Sequence, residues 1–342
     1  MKVFKAITTG LGMLWRAKRY IFIAWLINFC LAIVLAAGIS ETLKKSIGSK
    51  QAGENMQMGF DGVWYNNFAT NAEGLARTFN PGITGMGAVY SGLDTFITGA
   101  VGRIPATILF IGCAYLLVWV FLSGGFFGLF VQRSEKKKSF WEWAGENFLR
   151  FLTLGIMALF LYWLVLAFLL PWTTNFVNWI TEDTLDERVH FTWVVIQYLL
   201  LWSIVLLVNL TFDYSKVLMV RENKRLVFML PVRALRIIFK NFRKTGGTYV
   251  LVGVIWLFVL LIYKAIVPGI AQANWTTIAL AFLVGQAFIL ARIAVRAFMY
   301  ATETAMCVGI LDDIQSVEIT GTPEPAALIS PDDESEPENE KE

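Results

Sequence analysis

The chain has 342 residues, 56% of them hydrophobic and 16% charged, whereas an ordinary soluble domain carries about 25% charged residues. That balance, with 13 Trp and 27 Phe, excludes a soluble globular domain and points to a membrane protein. The net charge of +3 divides along the chain into a basic body of +13 and a stretch of −10 from Asp312 onward, where 11 acidic residues face one lysine.

A hydrocarbon core about 30 Å thick needs roughly 20 apolar residues of helix to cross it. Six runs qualify, at 20–39, 104–130, 151–170, 191–210, 249–267 and 277–295, each bounded by proline, glycine or charge. The expected fold class is all-α, a polytopic membrane helix bundle with about six transmembrane helices, an external helical cap and a cytoplasmic interfacial amphipathic helix. The expected organisation is a basic lead at 1–19, a membrane domain at 20–311 and an acidic tail at 312–342. The Pro- and carboxylate-rich tail has little to bury and is expected to be disordered from about residue 320.

The lead carries Lys2, Lys5, Arg16, Lys18 and Arg19, and the first run behind it exceeds the roughly 7 to 15 residues of a secretory signal core. It reads as a retained anchor. Residues 40–103 are too long for a simple connection and read as a cap of short helices, or as a lid or partner surface using Asp61, Trp64 and Tyr65. The second run contains Gly124, Gly125 and Gly128, which fit either close helix packing or a hinge. After it, Arg133, Lys136, Lys137 and Lys138 fall at a cytoplasmic lipid surface, with Trp141 and Trp143 at headgroup depth.

Between the fourth and fifth runs, Phe228, Val232, Leu235, Phe239 and Phe242 recur at helical spacing as an apolar stripe. Arg233, Arg236, Lys240 and Arg243 recur beside it, so about 228–245 reads as a helix lying on the membrane surface, opened by Pro231 and closed by Gly246 and Gly247. A docking site for a cytoplasmic partner is the other reading. Asp213 follows the fourth run, and Arg292 and Arg296 lie one turn apart near the inner end of the sixth, with Glu303 two turns further. An ion pair from Asp213 to one of these arginines, locking the two helices, is expected. Lys264 reads as a snorkelling side chain, and Gln197 and Gln286 as mid-depth hydrogen-bonding groups worth about 0.6 kcal/mol each.

Basic residues near span ends set orientation. The lead, 131–150 and 211–248 hold 19 Lys and Arg, while the alternate segments 40–100, 171–190 and 268–276 hold five. Both termini are therefore expected to be cytoplasmic.

The stretch "NLTFDYSKVLMVRENKRLVFMLPVRALRIIFKNFRKTGG" has a "DY" after a span, then a "VxE" piece, then an "ALR" basic helix, on Asp213, Tyr214, Val220, Glu222, Ala234, Leu235 and Arg236. With the "SGGFFGLF" break, it resembles poorly characterised bacterial polytopic membrane proteins, similar to the membrane domains beside some glycerophosphodiester phosphodiesterases. The resemblance covers about a quarter of the chain, without a phosphodiesterase catalytic domain, and implies a bacterial inner-membrane location.

No GxSxG, HExxH or phosphate-loop pattern occurs in a fitting context, so no enzyme activity is expected. The three distant cysteines, Cys30, Cys113 and Cys307, and the single His190 imply no metal site and no cofactor. The expected function is a non-enzymatic membrane protein that organises lipid or a protein partner; the alternative is a permease, channel or lipid-handling transporter. Expected partners are membrane lipids, chiefly anionic, and a protein at the external cap or acidic tail; no nucleic acid is expected.

Overall fold

The computed structural model describes residues 2–47, 61–72, 76, 79, 106–132, 138–184, 186–222, 227–266 and 274–321, with the backbone alone at 106–109 and 315–321. Arg133, Lys136, Lys137, most of the cap and the tail from 322 lie outside the described residues. Within them every regular element is helical: α1 (Val3–Arg16), α2 (Lys18–Ile47), α3 (Gly62–Asn71), α4 (Ala106–Val131), α5 (Phe140–Leu164), α6 (Leu170–Thr181), α7 (Glu187–Glu222), α8 (Leu230–Lys240), α9 (Phe242–Ile266) and α10 (Trp275–Gly321). The chain is an all-α polytopic bundle in which six helices are long and apolar enough to cross a membrane: α2, α4, the joined α5 and α6, α7, α9 and α10.

Local chemistry explains where these helices start and bend. Ser139 opens α5 by accepting from the Glu142 N–H at 3.3 Å, while the Glu142 carboxylate accepts from the Ser139 N–H, which satisfies two otherwise orphaned donors. The third run was expected to end before Pro171, yet the helix continues to Thr181 through a wider π-helical turn at Val165–Leu169. A proline lacks the N–H that an α-helix needs and crowds the carbonyl four residues back, and a π turn accommodates both.

The basic lead also proves to be structured, as α1. Ala6 and Gly10 are buried against α10, so closely that a Cβ on Gly10 would stand 2.5 Å from the Thr302 Cγ2. The opposite stripe, Phe4, Leu11 and Trp15, is exposed, with the Lys18 ammonium 4.8 Å above the Trp15 ring.

Burial is concentrated at one end of the bundle. Residues Thr211–Ser215 and Val217–Val220 of α7 are buried on every side, and so are Tyr300–Cys307 of α10. Around them pack Leu122, Phe126, Phe127 and Phe130 of α4, Phe140, Phe151 and Leu154 of α5, and Leu230, Ala234, Ile237 and Ile238 of α8. A helix that is buried all round belongs to a protein core. Toward the other end the helices show exposed apolar faces, among them Phe160, Trp163, Phe168, Leu199, Phe258 and Leu283, the surface that lipid covers in a membrane protein. The two mid-depth glutamines tie these faces together. Gln197 of α7 donates to Thr173 and Thr174 of α6 at 3.1 and 2.8 Å, and Trp25 of α2 donates to Gln286 of α10 at 3.2 Å.

The glycines of α4 serve packing. The helix runs unbroken through Gly124, Gly125 and Gly128. A Cβ on Gly125 would lie 2.5 Å from the Phe140 ring, one on Gly128 would collide with Trp143, and one on Gly124 would lie 3.3 Å from the Ala144 carbonyl. These contacts are those of the close-packing reading: the glycines let α4 and α5 approach backbone to side chain.

Candidate functional site

The polar residues of interest gather where α7 and α10 cross at the tightly packed end. Asp213 was expected to pair with Arg292 or Arg296; it pairs instead with Lys216, one turn along its own helix, at 2.7 Å. Position i+3 brings the lysine onto the same helical face, which the arginines on α10 do not match. Lys216 also reaches across helices, its ammonium standing 5.6 Å from the Phe127 ring centre and 5.7 Å from that of Tyr300. The ion pair that does join α7 to α10 is Arg221 with Asp312, at 2.5 Å.

Arg296 is held by aromatic groups. Its Nε donates to the Tyr300 hydroxyl at 3.0 Å, and its guanidinium lies 4.4 Å over the Trp119 ring. The Trp119 indole N–H donates to the same Tyr300 oxygen at 3.2 Å, so α4 and α10 share one platform. Arg296 and Arg292 are both exposed, and neither has a carboxylate partner among the described residues. Next to the platform, Tyr162 of α5 donates to Asn209 of α7 at 2.9 Å.

Glu303 lies two turns beyond Arg296 and is 1% exposed. Among the described residues neither of its carboxyl oxygens has a hydrogen-bond partner, and the same holds for the buried hydroxyl of Tyr214, while the charges of Asp213 and Lys216 act on the Glu303 carboxyl. Sequence reading marked Glu303 by type alone. Lys216, Trp119 and Tyr300 were missed, because only the crossing of three helices makes them neighbours.

The surface residues divide as follows. Lys138 pairs with Glu146 at 2.5 Å and lies 4.9 Å over the Trp143 ring. In α8, Leu230, Ala234, Ile237 and Ile238 face the bundle; of the predicted stripe, Leu235 is half-buried, whereas Val232 and Phe239 in α8, Phe228 just before it and Phe242 at the start of α9 are exposed. Arg236, Lys240 and Arg243 are exposed, and Arg233 pairs with Glu222 of α7. Pro231 stands in the first turn as expected. The end is corrected, since α8 stops at Asn241 and Gly246 and Gly247 lie inside α9. Asn241 leaves helical geometry, and Thr245 accepts the role of anchoring the new helix by donating to the Asn241 carbonyl at 3.2 Å.

In the segment between the first two spans, Asp61 caps α3 by accepting from the N–H groups of Val63 and Trp64, both at 3.0 Å. Trp64 stacks on Phe68, and Tyr65 donates to the Phe79 carbonyl at 3.4 Å, so these three side chains serve local folding. No group of three or more His, Cys, Asp or Glu able to hold a metal occurs among the described residues. No family model matches the chain, and no curated protein or solved structure is similar to it.

Proposed function

We propose that this chain is a non-enzymatic integral membrane protein that organises phospholipid around the basic end of its bundle. One observation carries the reading: α1 and α8 both lie against this end, each with one face on the bundle and an exposed aromatic stripe on another, flanked by basic residues. Helices of this kind rest at the acyl boundary with aromatic rings in the lipid and cationic side chains at the phosphates. Lys5, Arg16, Lys18 and Arg19 near α1, and Arg236, Lys240 and Arg243 near α8, supply the positive charge. The opposite end carries Glu182, Asp183, Asp186 and Glu187 against Arg188. By the positive-inside rule we propose that the α1 and α8 end faces the cytoplasm.

The test is native mass spectrometry of the detergent-solubilised full chain with phosphatidylglycerol and phosphatidylcholine in competition. Wild-type protein is expected to retain the anionic lipid preferentially. The R236Q/K240Q/R243Q variant should lose that preference by roughly a hundredfold, since each basic side chain contributes about 1 kcal/mol. Equal retention of both lipids by the wild type refutes the reading.

A lipid-handling transporter is the second reading. It is favoured by an apolar groove of about 460 Å³ at the π turn, lined by Leu164, Val165, Phe168, Leu169 and Trp172 and open to the side. Transbilayer movement of a fluorescent phospholipid in proteoliposomes, measured by quenching from outside, separates the two.

A further inference from the structure

We infer that Arg292 and Arg296 form a clamp for a single phosphoryl group, supplied by a phospholipid headgroup seated on the Trp119 platform. This rests on the lipid-organising reading and names the chemistry one site would recognise. Four observations on separate residues lead to it.

The first is position. The sixth apolar run ends at residue 295, so Arg292 falls in its last turn and Arg296 directly after it, near the depth where a leaflet has its phosphates. The second is spacing. Residues four apart on a helix stand about 5–6 Å apart at Cβ and share a face, close enough for two guanidinium groups to grip one anion. The third is charge: both arginines are exposed, and neither is neutralised by a carboxylate among the described residues. Asp213 of α7, the acid expected to neutralise Arg296, is already engaged by Lys216 at 2.7 Å. Two uncompensated cations at the end of a span need a counter-charge, and a phosphate diester supplies it.

The fourth is preorganisation. The Nε of Arg296 is occupied by Tyr300 and its guanidinium is held over Trp119 at 4.4 Å, so the side chain is fixed at two points while its terminal N–H groups make no hydrogen bond to the described residues. A side chain left free to snorkel would not be held by an indole and a phenol that are themselves hydrogen-bonded and buried, at 7% and 3% exposure.

The experiment compares wild-type full chain, R292Q and R292Q/R296Q in two arms. In the lipid arm, native mass spectrometry measures retention of phosphatidylglycerol or phosphatidylcholine against diacylglycerol, which has the same chains and no phosphate. In the free-anion arm, thermal unfolding in detergent is followed with inorganic phosphate against chloride at equal ionic strength. The expected result is retention of both phospholipids over diacylglycerol, reduced about tenfold or more in R292Q/R296Q, with no effect of inorganic phosphate. Stabilisation of wild type but not the variant by inorganic phosphate, without a change in lipid retention, assigns the clamp to a soluble phosphate and overturns the lipid source. Variants that match wild type in both arms overturn the clamp altogether. If the double variant does not fold, R292Q decides, because Arg292 has no side-chain partner among the described residues to lose; unchanged phospholipid retention in R292Q then overturns the proposal. Diacylglycerol discrimination does not depend on an anionic preference, so failure of the lipid-organising reading shows separately, as equal retention of phosphatidylglycerol and phosphatidylcholine.

Discussion

Two double-mutant cycles distinguish the ion pair found in the structure from the one that the sequence led us to expect. In Lys216→Met, Asp213 keeps its place in the core with its side chain 9% exposed and loses the ammonium 2.7 Å away. Removing one partner of a buried pair costs about 3–5 kcal/mol, because the remaining charge is left uncompensated. Asp213→Asn strands Lys216, 17% exposed, with a similar penalty. The double variant D213N/K216M removes both charges together, so its loss should fall short of the summed single losses by about 1–3 kcal/mol. In the parallel cycle with Arg296→Gln, the arginine keeps no direct contact with Asp213, and the coupling should be about 0.5 kcal/mol. The assay is unfolding of the full chain in mixed micelles by increasing denaturing detergent, followed by tryptophan fluorescence. Strict additivity between Asp213 and Lys216, or a larger coupling between Asp213 and Arg296, refutes the assignment.

Replacing glycine should sort α4 and α9 by what a Cβ meets. Gly125→Val, directed at the Phe140 ring 2.5 Å away, should cost about 1–3 kcal/mol or more, whereas Gly112→Ala and Gly253→Ala, with nothing within 4 Å, should be stabilising by about 0.4–1 kcal/mol in the same unfolding assay. Glu303→Met removes a fully buried carboxyl whose two oxygens have no partner, so it should raise stability by about 1–3 kcal/mol; a loss of stability would mean that the carboxyl has a compensating interaction after all.

Several features were legible before any coordinates. The six helices follow from run length, since a hydrophobic stretch of membrane thickness has few other stable states. The cross-helix roles of Gln197 and Gln286 follow from the same logic, because a polar side chain at mid-depth must find a partner within the bundle. The α8 pattern was readable from periodicity, although its second buried face was hidden: Leu230, Ala234, Ile237 and Ile238 interleave with the basic residues and register only when α7 packs on them. In α1, Ala6 and Gly10 are the contact face, and small residues leave little trace in a hydrophobic pattern.

Composition and run length by themselves determined the class, the span count and the uneven distribution of basic residues, because bilayer thickness and charge asymmetry act on the chain locally. Tertiary structure decided the contacts between helices. Trp119 and Tyr300 hold Arg296, which leaves Asp213 to its local i+3 neighbour Lys216, and Gly124, Gly125 and Gly128 pack closely on α5. The physical reason is that such choices depend on which face of each helix meets which neighbour. Rotation and crossing of helices in lipid are set by close packing between them, and a linear run of residues carries that information only in part.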